Sequence, residues 1–197
     1  MEVDLKGRRA GIVGVHHSIA ETVSRALAAN GADVVLCSAG TAPTTFDVLI
    51  LSHDLTPPAT LEPSLLIETA QRAARQMSER GAGRIVHLIS ALALVPMRRH
   101  PAFSAAAAMS VAAVRALAMT SAPNILVNAV AVGAIGGPDS LASGDPTMLS
   151  HVSIDRPGTE ADVANAALFL LDPANTYTTG QVLAVDGGWT VGYARNF

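Results

Sequence analysis

Few side chains in this sequence could carry out chemistry. Ser90 closes the apolar run "GRIVHLIS" (83–90) and could act as a nucleophile, but no Gly-x-Ser-x-Gly turn surrounds it. It reads as a polar contact. Five of the six histidines, His16, His17, His53, His87 and His100, fall on or just after runs that read as strands. His16, His17 and His53 belong at the carboxyl edge of the resulting sheet, where they could hold a metal or exchange a proton. Metal sites show tighter ligand patterns with a carboxylate or cysteine close by, and Asp54 is the sole such neighbour. The histidines therefore read as groups filling a cleft, with no metal expected, and His87 as a strand residue satisfied by a hydrogen bond. Cys37, the one cysteine, ends another apolar run and reads as a small buried hydrophobe. Tyrosine occurs only as Tyr177 and Tyr193, and lysine only as Lys6, so acid/base side chains of those types are scarce.

The elements that must position these groups alternate along the chain. Strands are predicted at "AGIVGV" (10–15), "ADVVLCS" (32–38), "FDVLILS" (46–52), "GRIVHLIS" (83–90), "NILVNAVAV" (124–132) and "GQVLAVDG" (180–187). Continuous apolar runs of this kind suit a parallel sheet covered on both faces. Helical patterns lie between them at 18–31, 63–81, 103–119 and 160–172, the first two closed by Gly31 and Gly81. The alternation predicts an α/β fold with right-handed crossovers. Between the second and third runs, "AGTAPTT" (39–45) is too short for a helix plus a strand, though extended chain of that length can step across one neighbouring strand. Glu21 with Arg25, and Glu68 with Arg72, have the i, i+4 spacing of exposed helical ion pairs.

The 197 residues fit a single domain, half of them hydrophobic and 15% charged, and aromatics at 4% leave an aliphatic core. The net charge of −3 arises without a run of Lys or Arg, which argues against nucleic-acid and anionic-membrane partners. The start is acidic where a signal peptide would be basic, and no apolar stretch is expected to reach a membrane span of about 18 residues, so a cytoplasmic protein is expected.

The ending "TYTTGQVLAVDGGWT" (176–190), the stretch "GTEADVANAALFLL" (158–171) and the order of the pieces resemble the short-chain dehydrogenase/reductase family. The resemblance implies a Rossmann-like doubly wound sheet of about six strands, with the usual third strand and its crossover helix deleted and the stretch 134–157 shortened. It also implies a place for each family residue. Ser90 matches the family's serine, and Phe103, 13 positions on, stands in the place of its tyrosine. Ala107 stands in the place of its lysine. The tyrosine exchanges a proton with the substrate oxygen and the lysine lowers its pKa and holds the nicotinamide ribose. Phe103 and Ala107 can do neither, so no catalytic residue is expected.

In "VGVHHSIA" (13–20) the family's three glycines survive as Gly14, Ser18 and Ala20, the latter two narrowing the space for the pyrophosphate. Cys37 and Ser38 lack the carboxylate that reads the ribose, "LSHD" (51–54) replaces the family's Asn-Asn-Ala-Gly, and Gly133 survives. The expectation is no cofactor on this chain, with NAD(P) on an active partner. By the resemblance, that partner is a homologous subunit packed through helices 63–81 and 103–119 and strand 180–187 in a dimer or tetramer. A hydroxyacyl-CoA dehydrogenase is one candidate. A non-redox lyase or isomerase built in the emptied cleft, and a homo-oligomeric ligand-binding protein, are the alternatives.

Overall fold

The computed structural model describes residues 1–38, 45–57, 62–136, 152–154 and 156–192. Most of 39–45 and 134–157, and Tyr193, lie outside them. The six runs form strands β1 (Arg9–Gly14), β2 (Asp33–Cys37), β3 (Val48–Ser52), β4 (Gly83–Ser90), β5 (Ile125–Val132) and β6 (Val182–Val185), in a single parallel sheet of order β2-β1-β3-β4-β5-β6. The helices are α1 (Ser18–Ala29), α2 (Pro63–Glu79), α3 (Pro101–Ser121) and α4 (Glu160–Leu171). β2 lies at an edge and β3 on the far side of β1, so the chain steps across one strand between them.

The two faces of the sheet explain why the runs are continuous rather than alternating. Ile12, Ile50, Val86 and Leu88 point to α1 and α4, whereas Val13, Leu49, Ile85 and Ile89 point to α2 and α3. Successive residues face opposite sides, and both sides are buried. Proline opens α2 and α3 at the first turn, where its missing N–H costs nothing. Thr159 and Asp162 close a capping box on α4.

α3 corrects one expectation. It is 21 residues long and holds an 18-residue stretch of mean hydropathy 1.6, long and apolar enough to cross a bilayer. In the fold it lies along β4, β5 and α2, with Val111, Val114 and Ala118 buried against the sheet. A second correction concerns the helical ion pairs. Arg25 donates to the Thr22 hydroxyl at 2.7 Å and Arg72 to that of Thr69 at 3.3 Å, three residues back. Among the described residues the ion pair within 4.0 Å is instead Arg156–Asp162, at 3.4 Å.

Two local devices complete the sheet. The Phe46 ring, 2% exposed, lies over Gly11 of β1 so closely that a Cβ there would come within 2.5 Å of it. Arg9 stacks over the ring with its guanidinium 5.6 Å from the centroid, and Arg80 donates to the Phe46 carbonyl. At the other end of the sheet, the Arg84 guanidinium of β4 donates to the carbonyls of Asp172, Pro173 and Asn175 at 3.1, 3.0 and 2.9 Å. It gathers the carbonyls just past the α4 C-terminus, the negative end of the helix dipole.

Candidate functional site

Parallel α/β sheets bind ligands outside the carboxyl ends of their strands, where the strand order reverses. Here the reversal falls at β1, whose neighbours are β2 and β3. Gly14 ends β1 with φ +117°, and a Cβ there would lie 2.2 Å from the Ser52 carbonyl oxygen, so only glycine fits. The turn that follows is tied to β3. The Val15 N–H donates to Ser52 O at 2.8 Å, and the Ser52 hydroxyl donates to Val15 O at 2.6 Å. His17 is the N-cap of α1, its Nδ1 accepting from the Ala20 N–H at 3.1 Å while its Nε2 lies 3.1 Å from Ser52 Oγ. His16 reaches the Cys37 carbonyl at 3.4 Å.

Ser18 and Ala20 sit differently from the sequence expectation. The Ser18 hydroxyl bonds to the Glu160 carboxylate of α4, which Thr22 also donates to at 2.7 Å, and both bonds hold that carboxyl below the usual range. Ala20, 1% exposed, faces the core between α1 and the sheet. Neither side chain crowds the front of the α1 N-terminus. Glu160 was invisible as a partner of α1 in the sequence because 138 residues separate it from Thr22.

Ser90, Phe103 and Ala107 converge at the end of β4. Ser90 Oγ, 1% exposed, accepts from the Leu92 N–H at 3.3 Å and caps a short 3-10 turn over Ala91–Ala93. Leu92, Phe103 and Ala107 form a buried apolar cluster, closed by Ala93, Met97 and Trp189. Gly133, past β5, is packed against Asp186, where a Cβ would come within 2.5 Å. Beside it a cavity of about 340 Å³ is lined by Ala134, Arg156, Asp162 and Asp186, among others. Asp186 is satisfied by the N–H groups of Gly188 and Thr190.

The histidines separate. His100 is the N-cap residue of α3 and not a strand-edge group. His53 and His87 pair with each other, Nε2 to Nδ1 at 3.0 Å, at 3% and 1% exposure. Among the described residues no three His, Cys, Asp or Glu side chains form a metal-binding group. Either tautomer of the pair leaves His87 Nε2 buried without a partner. Burial lowers His53 to about 4 and holds His87 well below the ordinary histidine range, with His53 adding to the latter.

A stability test follows from that pair. The folded-state pKa of His53 is about 4 against an ordinary 6.5, so its contribution is complete above about pH 6.5 and is lost as the pH falls toward 4. At about 1.4 kcal/mol per unit, the full loss from His53 is on the order of 3 kcal/mol. Urea midpoints measured from neutral pH to about 4.5 should fall accordingly, and replacing His53→Leu with His87→Met should flatten that limb. An unchanged acid limb in the double variant removes the pair as its cause.

The comparisons with known proteins agree with this architecture. The family described as enoyl-(acyl carrier protein) reductase matches residues 64–190, well over half of the chain. Glucose 1-dehydrogenase of Gluconobacter oxydans (strain 621H) is 32% identical over 184 residues, covering 90% of this chain and 68% of that protein. The cis-4-hydroxycyclohexanecarboxylate dehydrogenase of Sinomonas cyclohexanicum is 38% identical over 126 residues, 61% of this chain and 50% of that one. The chain thus spans about half the length of several curated relatives it matches. A crystal structure from Agrobacterium tumefaciens, provisionally named a 2-deoxy-d-gluconate 3-dehydrogenase, has bound NADP. It superposes with a TM-score of 0.79 at 25% identity, covering 95% of this chain and 98% of that one.

That NADP-bound relative overturns the expectation of no cofactor on this chain. The physical reason lies in the β1–α1 turn. At the two positions where the resemblance implies glycine stand a serine turned toward Glu160 and an alanine packed inward, while Gly14 lies at the end of β1 with its left-handed φ and α1 begins at Ser18. The backbone cradle fits a diphosphate, since the Ser18 and Ile19 amides open the helix at the carboxyl edge of the sheet. With its parallel six-stranded sheet, its matched profile and its dehydrogenase relatives, the chain belongs to the short-chain dehydrogenase/reductase family.

Proposed function

We propose that this chain holds NAD(P) without turning it over, as a catalytically silent cytoplasmic subunit beside an active member of its family. The observation that carries the proposal is the apolar cluster of Leu92, Phe103 and Ala107 in the place where the family has its hydroxyl and amine. When bound, the dinucleotide supplies a hydride donor or acceptor. The Ser18 and Ile19 amides at the start of α1 would hold its diphosphate, and Gly14 would let the backbone turn beneath it. Phe103 has no proton to exchange and Ala107 no amine to hold a ribose. Ser90 Oγ already accepts from Leu92. Tight binding with no route for the proton is the outcome.

Support for assembly comes from the outer surface of α3. Ala105, Ala108, Met109, Ala112, Ala116 and Met119 are exposed there, with Met119 at 77%, and α2 runs alongside. β6 adds an open sheet edge with Leu183 exposed. Small side chains on a helix allow close approach of another helix, and exposed apolar surface of this extent marks an interface.

In the test, the chain is titrated with NADH and NADPH by nicotinamide fluorescence and assayed against secondary alcohols and ketones. Saturable binding without turnover is expected, together with co-purification of a second family member from the native host. Hydride transfer by the carefully purified chain would overturn the silent-subunit reading. Ala108→Glu or Ala112→Glu should dissociate the assembly in sedimentation, because burying an unpaired carboxylate costs on the order of several kcal/mol.

A further inference from the structure

We infer that NAD(P) binds this chain with uptake of one proton by His17, which makes the affinity depend on pH. The inference rests on the dinucleotide reading above and concerns the same cradle.

Two hydrogen bonds of the His17 ring bear on its unliganded form. Nδ1 accepts from the Ala20 N–H, so it carries no proton. The single Ser52 hydroxyl proton goes to the Val15 carbonyl at 2.6 Å, so His17 Nε2, 3.1 Å from that oxygen, is the donor. Both bonds fit a neutral imidazole protonated on Nε2. In this state it uses an N–H of the α1 N-terminus that an arriving diphosphate oxygen would also take. The neutral cap and the anion compete for Ala20 N–H.

Protonation of Nδ1 removes the competition. It breaks the cap, releases Ala20 N–H to the phosphate oxygen, and turns Nδ1 into a donor toward the same anion, while Nε2 keeps its bond to Ser52. The proton comes from solvent, and one imidazole becomes one imidazolium. The surroundings favour the exchange. Glu160 of α4, held by Ser18 and Thr22, is electrostatically coupled to His17 and would repel a diphosphate, a charge the imidazolium offsets. Among the described residues, the titratable or charged groups near the turn include Arg25 on α1, which also acts on Glu160, His16 next in the chain, and His53 and Asp54 just past β3. His53 is turned to His87.

The experiment is calorimetric titration of the intact chain with NADPH in two buffers of different ionisation enthalpy, phosphate and Tris, at several pH values. Near pH 8, above the ordinary histidine range, about one proton should be taken up per dinucleotide, falling toward zero near pH 5.5. Affinity should rise about tenfold for each unit by which the pH is lowered, where uptake is complete. His17→Asn keeps an N-cap acceptor but cannot take the proton, so it should bind NADPH with no proton uptake and a nearly flat pH profile. Zero uptake by the parent chain, or uptake unchanged in His17→Asn, would overturn the inference while leaving the dinucleotide reading intact. No saturable binding at any pH would overturn that reading and this inference together. If His17→Asn does not fold, the two-buffer measurement on the parent chain decides.

Discussion

Gly14→Ala is expected to be among the most destabilising single substitutions in the chain, removing about 4 kcal/mol or more. The added Cβ would stand 2.2 Å from the Ser52 carbonyl oxygen, a backbone atom that cannot rotate away, at a φ of +117° that L residues rarely adopt. Relief requires β1 and β3 to part where Gly14 pairs with Ser52, and the Val15 N–H bond to that same carbonyl is lost with it. The bonds from Ser52 to Val15 and His17 would follow. Strain and lost bonds together amount to about 4 kcal/mol or more, against a typical total stability of about 5–15 kcal/mol. Urea denaturation followed by circular dichroism measures this, and a variant within about 1 kcal/mol of the parent would show that the turn is far softer than described.

Phe46→Ala should cost about 3–5 kcal/mol, the usual range for removing a buried ring, because the ring is packed in the core directly over Gly11 of β1. The stacked Arg9 guanidinium would lose its platform as well. A double-mutant cycle separates packing from general damage. Gly11→Ala alone drives its methyl into the ring, yet in the Phe46→Ala background that methyl enters vacated space, so the two changes should be strongly non-additive and the double variant no less stable than Phe46→Ala. Simple additivity would mean that the ring and Gly11 are not in contact in solution.

The architecture was legible because a parallel sheet buried on both faces writes itself as uninterrupted apolar runs, and the six runs became the six strands within a few residues at each end. Proline at 63 and glycine at 31 and 81 marked helix limits for stereochemical reasons that hold anywhere, whereas the third helix, read as 103–119, begins earlier at Pro101 and runs to Ser121. The site was harder to read. Counting glycines in "VGVHHSIA" located the turn but not the direction of the Ser18 hydroxyl, which depends on a glutamate brought in from α4. The union of His53 with His87 depends on the β3–β4 register, which periodicity does not specify. His17 fits the cap position, but histidine is not among the preferred capping residues, so pattern reading passed over it. Phe46 was read as the first residue of the strand 46–52, whereas the strand begins at Val48, and the run of apolar residues gave no sign that its ring would lie over Gly11.

The Arg84 clamp also bears on how the chain is made. Its carbonyl acceptors lie 88 to 91 residues further along. On the ribosome β4 emerges, and can pair with β3, long before the chain beyond α4 exists to receive its guanidinium. The nascent intermediate would therefore carry a central strand in place but unlocked, with the β4 edge that later receives β5 still bare. Completion of α4 and its following turn is the event that makes the sheet cooperative. Proteolytic resistance should consequently appear late and all at once during synthesis, rather than strand by strand.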